Sequence, residues 1–120
     1  NPEYRQKVLK VKNWLEKVDP VGYGRTYRLF AQSDDNFEGR LQEIRTPILF
    51  ITGEKDQNST PSMSKQMASE TSYGEYIVIK NQAHMLAYIS PESVNPLIED
   101  FLQKAERSYI KSKTDQPLED

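Results

Sequence analysis

The sequence predicts an α/β fold of parallel strands flanked by helices, and two observations carry that prediction. Residues 48–51 (Ile48, Leu49, Phe50, Ile51) and 76–79 (Tyr76, Ile77, Val78, Ile79) form continuous apolar runs, the pattern of parallel strands covered on both faces. Between these runs and outside them, apolar residues recur at helical steps of three and four. Strand, helix, strand over about thirty residues is a βαβ unit, with parallel strands and a right-handed crossover.

Asn1 and Pro2 suit a helix start, and Tyr4, Val8, Val11, Leu15 and Val18 then form one stripe, with Leu9 and Trp14 beside it. Asp19 and Pro20 are expected to end this helix, and Gly22 and Gly24 to loosen the turn that follows. Tyr23, Tyr27, Phe30 and Ala31 read as the apolar face of a second helix, and Phe37, Leu41 and Ile44 as a third helical turn. Thr46 and Pro47 introduce the first strand. After it, Thr60 can cap and Pro61 can start a helix that places Met63 and Met67 on one side, against the sheet.

Val94, Leu97, Ile98, Phe101, Leu102 and Ala105 give a closing helix that covers one face of the sheet. Its start is open between Ser90 with Pro91 and Asn95 with Pro96, because a proline inside a helix removes a backbone hydrogen bond. Residues 106–120 turn polar and are expected to fray.

Composition narrows the function. At 120 residues, 36% hydrophobic and 28% charged, the chain suits a single core. Sixteen Lys and Arg against eighteen Asp and Glu give a net charge of −2 without large single-sign blocks, so nucleic acid and anionic membrane surfaces are not expected partners. With no cysteine and one histidine, disulfides, thiolate chemistry and multi-histidine metal sites are out of reach. The apolar runs fall well short of a membrane span. The start NPEYRQK has neither an initiator Met nor a signal-type apolar core, so a cytoplasmic protein whose real N-terminus lies upstream is expected. No phosphate loop, dinucleotide fingerprint or repeat is present, and no cofactor is expected.

Chemistry in parallel sheets collects at the carboxyl ends of the strands. Asp56 lies five residues after Ile51, and His84 five residues after Ile79. On pattern alone each has two readings. His84 is a catalytic base or a hydrogen-bonded loop residue, and Asp56 is its acid partner or the brace of a turn. Glu54 and Lys55 read as solvated loop charges. Tyr23, Tyr27 and Tyr88, with Met85 and Leu86, either line a pocket or pack as core and surface.

Residues 39–105 resemble the C-terminal part of an α/β-hydrolase. The stretch GRLQEIRTPILFITGEKD is similar to the strand and loop that bear the acid, NQAHMLAYISPESVNPLIEDFL is similar to the histidine loop and closing helix, and DPVGYGRTYRLFAQSDD resembles the last cap helices of enol-lactonase-like and esterase-like members. The resemblance implies cap-type helices over residues 1–36, a C-terminal hydrolase core segment over 37–105 and a polar tail over 106–120. It gives Asp56 the role of orienting the imidazole and His84 that of general base toward a serine. Ala83 stands where Gly often precedes the histidine, the interval from Asp56 to Pro61 is one residue longer than is common, and Pro96 interrupts the closing helix.

The larger departure is that no Gly-x-Ser-x-Gly elbow and no upstream oxyanion loop occur in the chain. The expectation is therefore a C-terminal fragment of a Ser-type α/β-hydrolase acting on an ester, lactone or related carbonyl substrate, inactive as the 120-residue chain. Its partners would be that small molecule and, for the strand edge, either a second copy of the chain or its own N-terminal half. The alternative is a non-catalytic interaction or assembly domain that retains the end of the fold.

Overall fold

The computed structural model describes residues 2–37 and 39–114. Helix α1 (Pro2–Glu16) and helix α2 (Pro20–Phe37) come first, then a 3-10 turn (Leu41–Glu43), strand β1 (Ile48–Gly53), helix α3 (Pro61–Glu70), strand β2 (Gly74–Ile79), the short helix α4 (Leu86–Ile89) and helix α5 (Pro91–Thr114). The two strands pair in parallel, from Ile48 opposite Gly74 to Gly53 opposite Ile79, with α3 as the crossover. This is the expected βαβ unit.

Local chemistry sets most boundaries. The Thr60 hydroxyl accepts the Met63 N–H at 3.4 Å, and Pro61 occupies the first helical position, where its missing N–H costs nothing. Gly74 opens β2 close beneath α3: a Cβ there would run into Thr71 Oγ1 and the Ala68 carbonyl. Among the described residues, the buried apolar core is small and consists of Ala68, Leu86 and Val94.

Several expectations are corrected. Helix α1 stops at Glu16, so Val18 falls outside it, and Asp19 with Pro20 begins the next helix rather than closing the first. The Asp19 carboxylate accepts the Gly22 N–H at 2.8 Å as an N-terminal cap, and Pro20 is the first helical residue. Gly22 and Gly24 therefore lie inside α2. The expected turn through Phe37, Leu41 and Ile44 is split, because Gly39 takes a left-handed conformation (φ 75°) between the end of α2 and the 3-10 turn. The face of α3 that is buried is formed by Ser64 and Ala68, while Met63 is 47% exposed. Small side chains let the helix sit close to the sheet.

Helix α5 starts at Pro91 and carries Pro96 within it; one lost hydrogen bond near its start does not stop the helix. It continues to Thr114 where fraying was expected, and residues 115–120 lie outside the described residues. The apolar run of β1 is only half-buried over residues 48–51, not covered on both faces. The chain's radius of gyration is 18.6 Å, against about 14 Å for a compact domain of this length.

Candidate functional site

Both strands end on the same edge, and the loops leaving them are stitched together. The Glu54 N–H donates to the Ile79 carbonyl at 2.9 Å, and the Lys55 N–H to the Gln82 carbonyl at 2.8 Å. Gly53 permits this approach, because a Cβ on it would meet the Gln82 carbonyl and lie 2.9 Å from the Ala83 carbonyl oxygen. Thr52, 2% exposed, donates its hydroxyl to the Ser59 carbonyl at 2.6 Å and so closes the loop that holds Asp56.

That loop presents Asp56 with two backbone donors. The N–H groups of Asn58 and Ser59 each lie 2.9 Å from Oδ1, leaving Oδ2 for His84 Nδ1, also at 2.9 Å. Asp56 is 5% exposed, whereas the His84 side chain is 54% exposed. Burial, the largest single influence on the Asp56 carboxyl, pushes its pKa up, but the hydrogen bonds from Ser59, His84 and Asn58 together outweigh it and hold the group below the ordinary carboxylate value. An ionised carboxylate only accepts. The Nδ1 atom therefore carries the proton and donates to Asp56, which leaves Nε2 as the basic nitrogen of the neutral ring.

The structure thus brings Asp56 and His84 together, although not through the equal offsets read from the sequence. Strand β1 runs on to Gly53, so Asp56 follows its end by three residues and His84 follows the end of β2 by five. The longer path includes Asn81, which adopts the left-handed conformation (φ 59°). Its N–H donates to Glu54 Oε2 at 2.9 Å. Glu54 is therefore more than a solvated charge, and Thr52, Glu54 and Asn81 are site residues that sequence reasoning missed. A polar residue at the end of an apolar run was the one available signal, and it pointed to Thr52 only.

His84 borders two openings. A cleft of about 570 Å³ lies between Tyr4, Val8 and Val11 of α1 and Met85, Leu86 and Ile89 beyond the imidazole. Helix α1 is fixed there by Lys7, whose ammonium donates to the Ile89 carbonyl at 3.1 Å, and by Trp14, whose ring centroid lies 5.2 Å from that of Tyr88. Of the residues considered for an acyl pocket, Met85 and Leu86 line this cleft; Tyr23 and Tyr27 stack on each other on exposed α2, and Tyr88 packs on Trp14. The second opening, about 630 Å³, runs along β1 from Pro47 to His84 and is walled by Val94, Ile98 and Phe101.

Among the described residues, no three His, Cys, Asp or Glu side chains gather in a way that could hold a metal ion. No described helix is long and apolar enough to cross a membrane.

With this geometry in view, the chain is similar to three curated proteins. It is 42% identical over 94 residues to the (E)-2-((N-methylformamido)methylene)succinate hydrolase of Acinetobacter baylyi, a match that covers 78% of this chain and 36% of that protein. It is 26% identical over 101 residues to the AB hydrolase superfamily protein YisY of Bacillus subtilis, covering 84% of this chain and 36% of the relative. It is 27% identical over 78 residues to the RutD protein of Pantoea ananatis, covering 65% and 28%. The chain thus spans about a third of the length of the curated relatives it matches. No family model and no solved structure matches it.

Proposed function

Because the chain belongs to the α/β-hydrolase superfamily and carries its C-terminal part, we propose that Asp56 and His84 are the acid and base of a serine-type hydrolase whose nucleophile comes from a polypeptide segment other than these 120 residues. The observation that carries this reading is the 2.9 Å bond from His84 Nδ1 to Asp56 Oδ2 at the shared edge of both strands. It fixes the tautomer a serine hydrolase needs.

In this reading, Nε2 takes the hydroxyl proton as the serine oxygen attacks a substrate carbonyl, and the imidazolium that forms is stabilised by the Asp56 carboxylate. The same proton goes to the leaving group as its bond to the carbonyl carbon breaks. Nε2 then accepts a proton from water as it attacks the acyl-enzyme, and returns that proton to the serine oxygen as the bond from that oxygen to the acyl carbon breaks and the acid is released. The substrate class is an ester, lactone or related carbonyl compound; the Acinetobacter relative is named for hydrolysing an N-acyl compound, which suits that class.

The two openings at His84 fit the proposal. The apolar groove along β1 is the surface against which the nucleophile-bearing part, the protein's own N-terminal half, packs. Helix α1 acts as a cap-type helix over the other side of the imidazole. The test is the longer gene product: with a Gly-x-Ser-x-Gly elbow upstream, it should hydrolyse activated esters, and His84→Ala should abolish turnover. A longer product that turns over equally well with His84→Ala would sink the assignment.

A further inference from the structure

We infer that Glu54 is a positioning residue for His84, acting through the backbone of the histidine loop; this deepens, and rests on, the reading of His84 as the base. The imidazole is 54% exposed, so packing alone does not hold it. Its direction depends on the loop between Ile79 and Leu86. Two ties to that loop, from Glu54 N–H to the Ile79 carbonyl and from Lys55 N–H to the Gln82 carbonyl, are backbone bonds. Among the described residues, the side-chain bonds from the acid loop to it are those of Asp56 to His84 and of Glu54 to Asn81.

The place where Glu54 acts matters. Asn81 is the described non-glycine residue with positive φ (59°), a conformation that costs an L residue energy, less for asparagine than for most, and that a hydrogen bond to its N–H helps to hold. Glu54 Oε2 accepts the Asn81 N–H at 2.9 Å, across 27 residues of sequence, and supplies that support as a charged acceptor. The carboxylates of Glu54 and Asp56 therefore grip the same loop at positions 81 and 84. With Glu54 gone, Asn81 is free to leave the left-handed region, and the loop swings its exposed ring away from Asp56.

One feature of the sequence makes this measurable: His84 is the single histidine in 120 residues, so its ring nitrogens can be read by NMR without assignment ambiguity. In the wild-type chain the neutral ring should hold its proton on Nδ1. Glu54→Ala should shift the ring toward the Nε2-protonated form that an unconstrained neutral histidine side chain prefers, with the backbone amide spectrum still that of a folded chain. Glu54→Gln, whose amide oxygen still accepts, should keep the wild-type tautomer. If Glu54→Ala does not fold, Glu54→Asp, one methylene too short to reach Asn81, decides and should show the same loss.

A folded Ala or Asp variant with the wild-type tautomer would overturn the inference, as would a folded Gln variant that loses it. The catalytic reading fails separately, through activity of the longer gene product with His84→Ala, and that failure leaves the tautomer result unaffected.

Discussion

His84 Nδ1 and Asp56 Oδ2 lie 2.9 Å apart although 28 residues separate them in the chain, and the two partners differ sharply in exposure. Asp56 is 5% exposed and is held at Oδ1 by two backbone N–H groups, while the imidazole side chain is 54% exposed. The anion is the fixed member and the ring is the member it orients.

Replacing Asp56 should therefore cost stability as well as orientation. Asp56→Ala removes the acceptor of three hydrogen bonds, from Asn58, Ser59 and His84, and the expected loss is about 2–4 kcal/mol in urea denaturation. The pH dependence has a definite sign. The folded carboxyl titrates below its unfolded value of 3.8, so the unfolded state takes up the proton first on acidification. The stabilisation is complete above the unfolded value and fades as pH falls through the lower folded one. Asp56→Asn should flatten this acid limb, and equal acid sensitivity of the two chains would contradict it.

Gly53→Ala tests the contact between the two loops. Its new methyl meets the backbone carbonyls of Gln82 and Ala83, neither of which is the flexible end of a side chain. The loops must part, at an expected cost of roughly 1–3 kcal/mol. Thermal melts should show the loss, and the His84 ring should lose its Nδ1-protonated form at the same time. Unchanged melting and tautomer would mean that the loops are not in contact as described.

The fold was legible where the signal is local. The apolar runs at 48–51 and 76–79, and Thr60 followed by Pro61, each determine their own element. Asp19 with Pro20 carried an equally local cap-and-first-turn signal, but the nearby Gly22 and Gly24 suggested a break, and the cap bond outweighed them. The buried face of α3 was misread because Met63 and Met67 are the more apolar pair, whereas close packing on a two-stranded sheet selects the smaller Ser64 and Ala68. At the site, Asp56 and His84 could be picked out from strand ends and family spacing. The bond from Asn81 to Glu54 could not, since it depends on two distant loops meeting.

The isolated 120-residue chain should not turn over substrate. General-base chemistry needs a nucleophile, and no Gly-x-Ser-x-Gly elbow occurs in these residues. Purified chain mixed with a simple activated ester should release product no faster than its His84→Ala variant, in a spectrophotometric assay. Turnover that depends on His84 would reveal an unrecognised nucleophile within the chain.

The free side of β1 leads to the remaining prediction. In the two-stranded sheet β1 pairs with β2 on one side, its other edge has no strand partner among the described residues, and its residues Ile48, Leu49 and Ile51 line the groove walled by Val94, Ile98 and Phe101. Unpaired backbone groups on such an edge are a template for another strand. The chain exposes 10120 Å² of surface, whereas a compact monomer of this mass exposes about 6,700 Å². The difference, roughly 3,400 Å², exceeds the roughly 800 Å² per partner that a standard interface buries. The isolated chain should therefore self-associate, and light scattering over a wide concentration range should show a folded species of at least twice the monomer mass. Ile98→Glu, placing a charge on a groove residue that is 41% exposed, should shift the population toward monomer without unfolding it. A folded wild-type chain that stays monomeric at high concentration would show that the groove and strand edge are satisfied within the single chain.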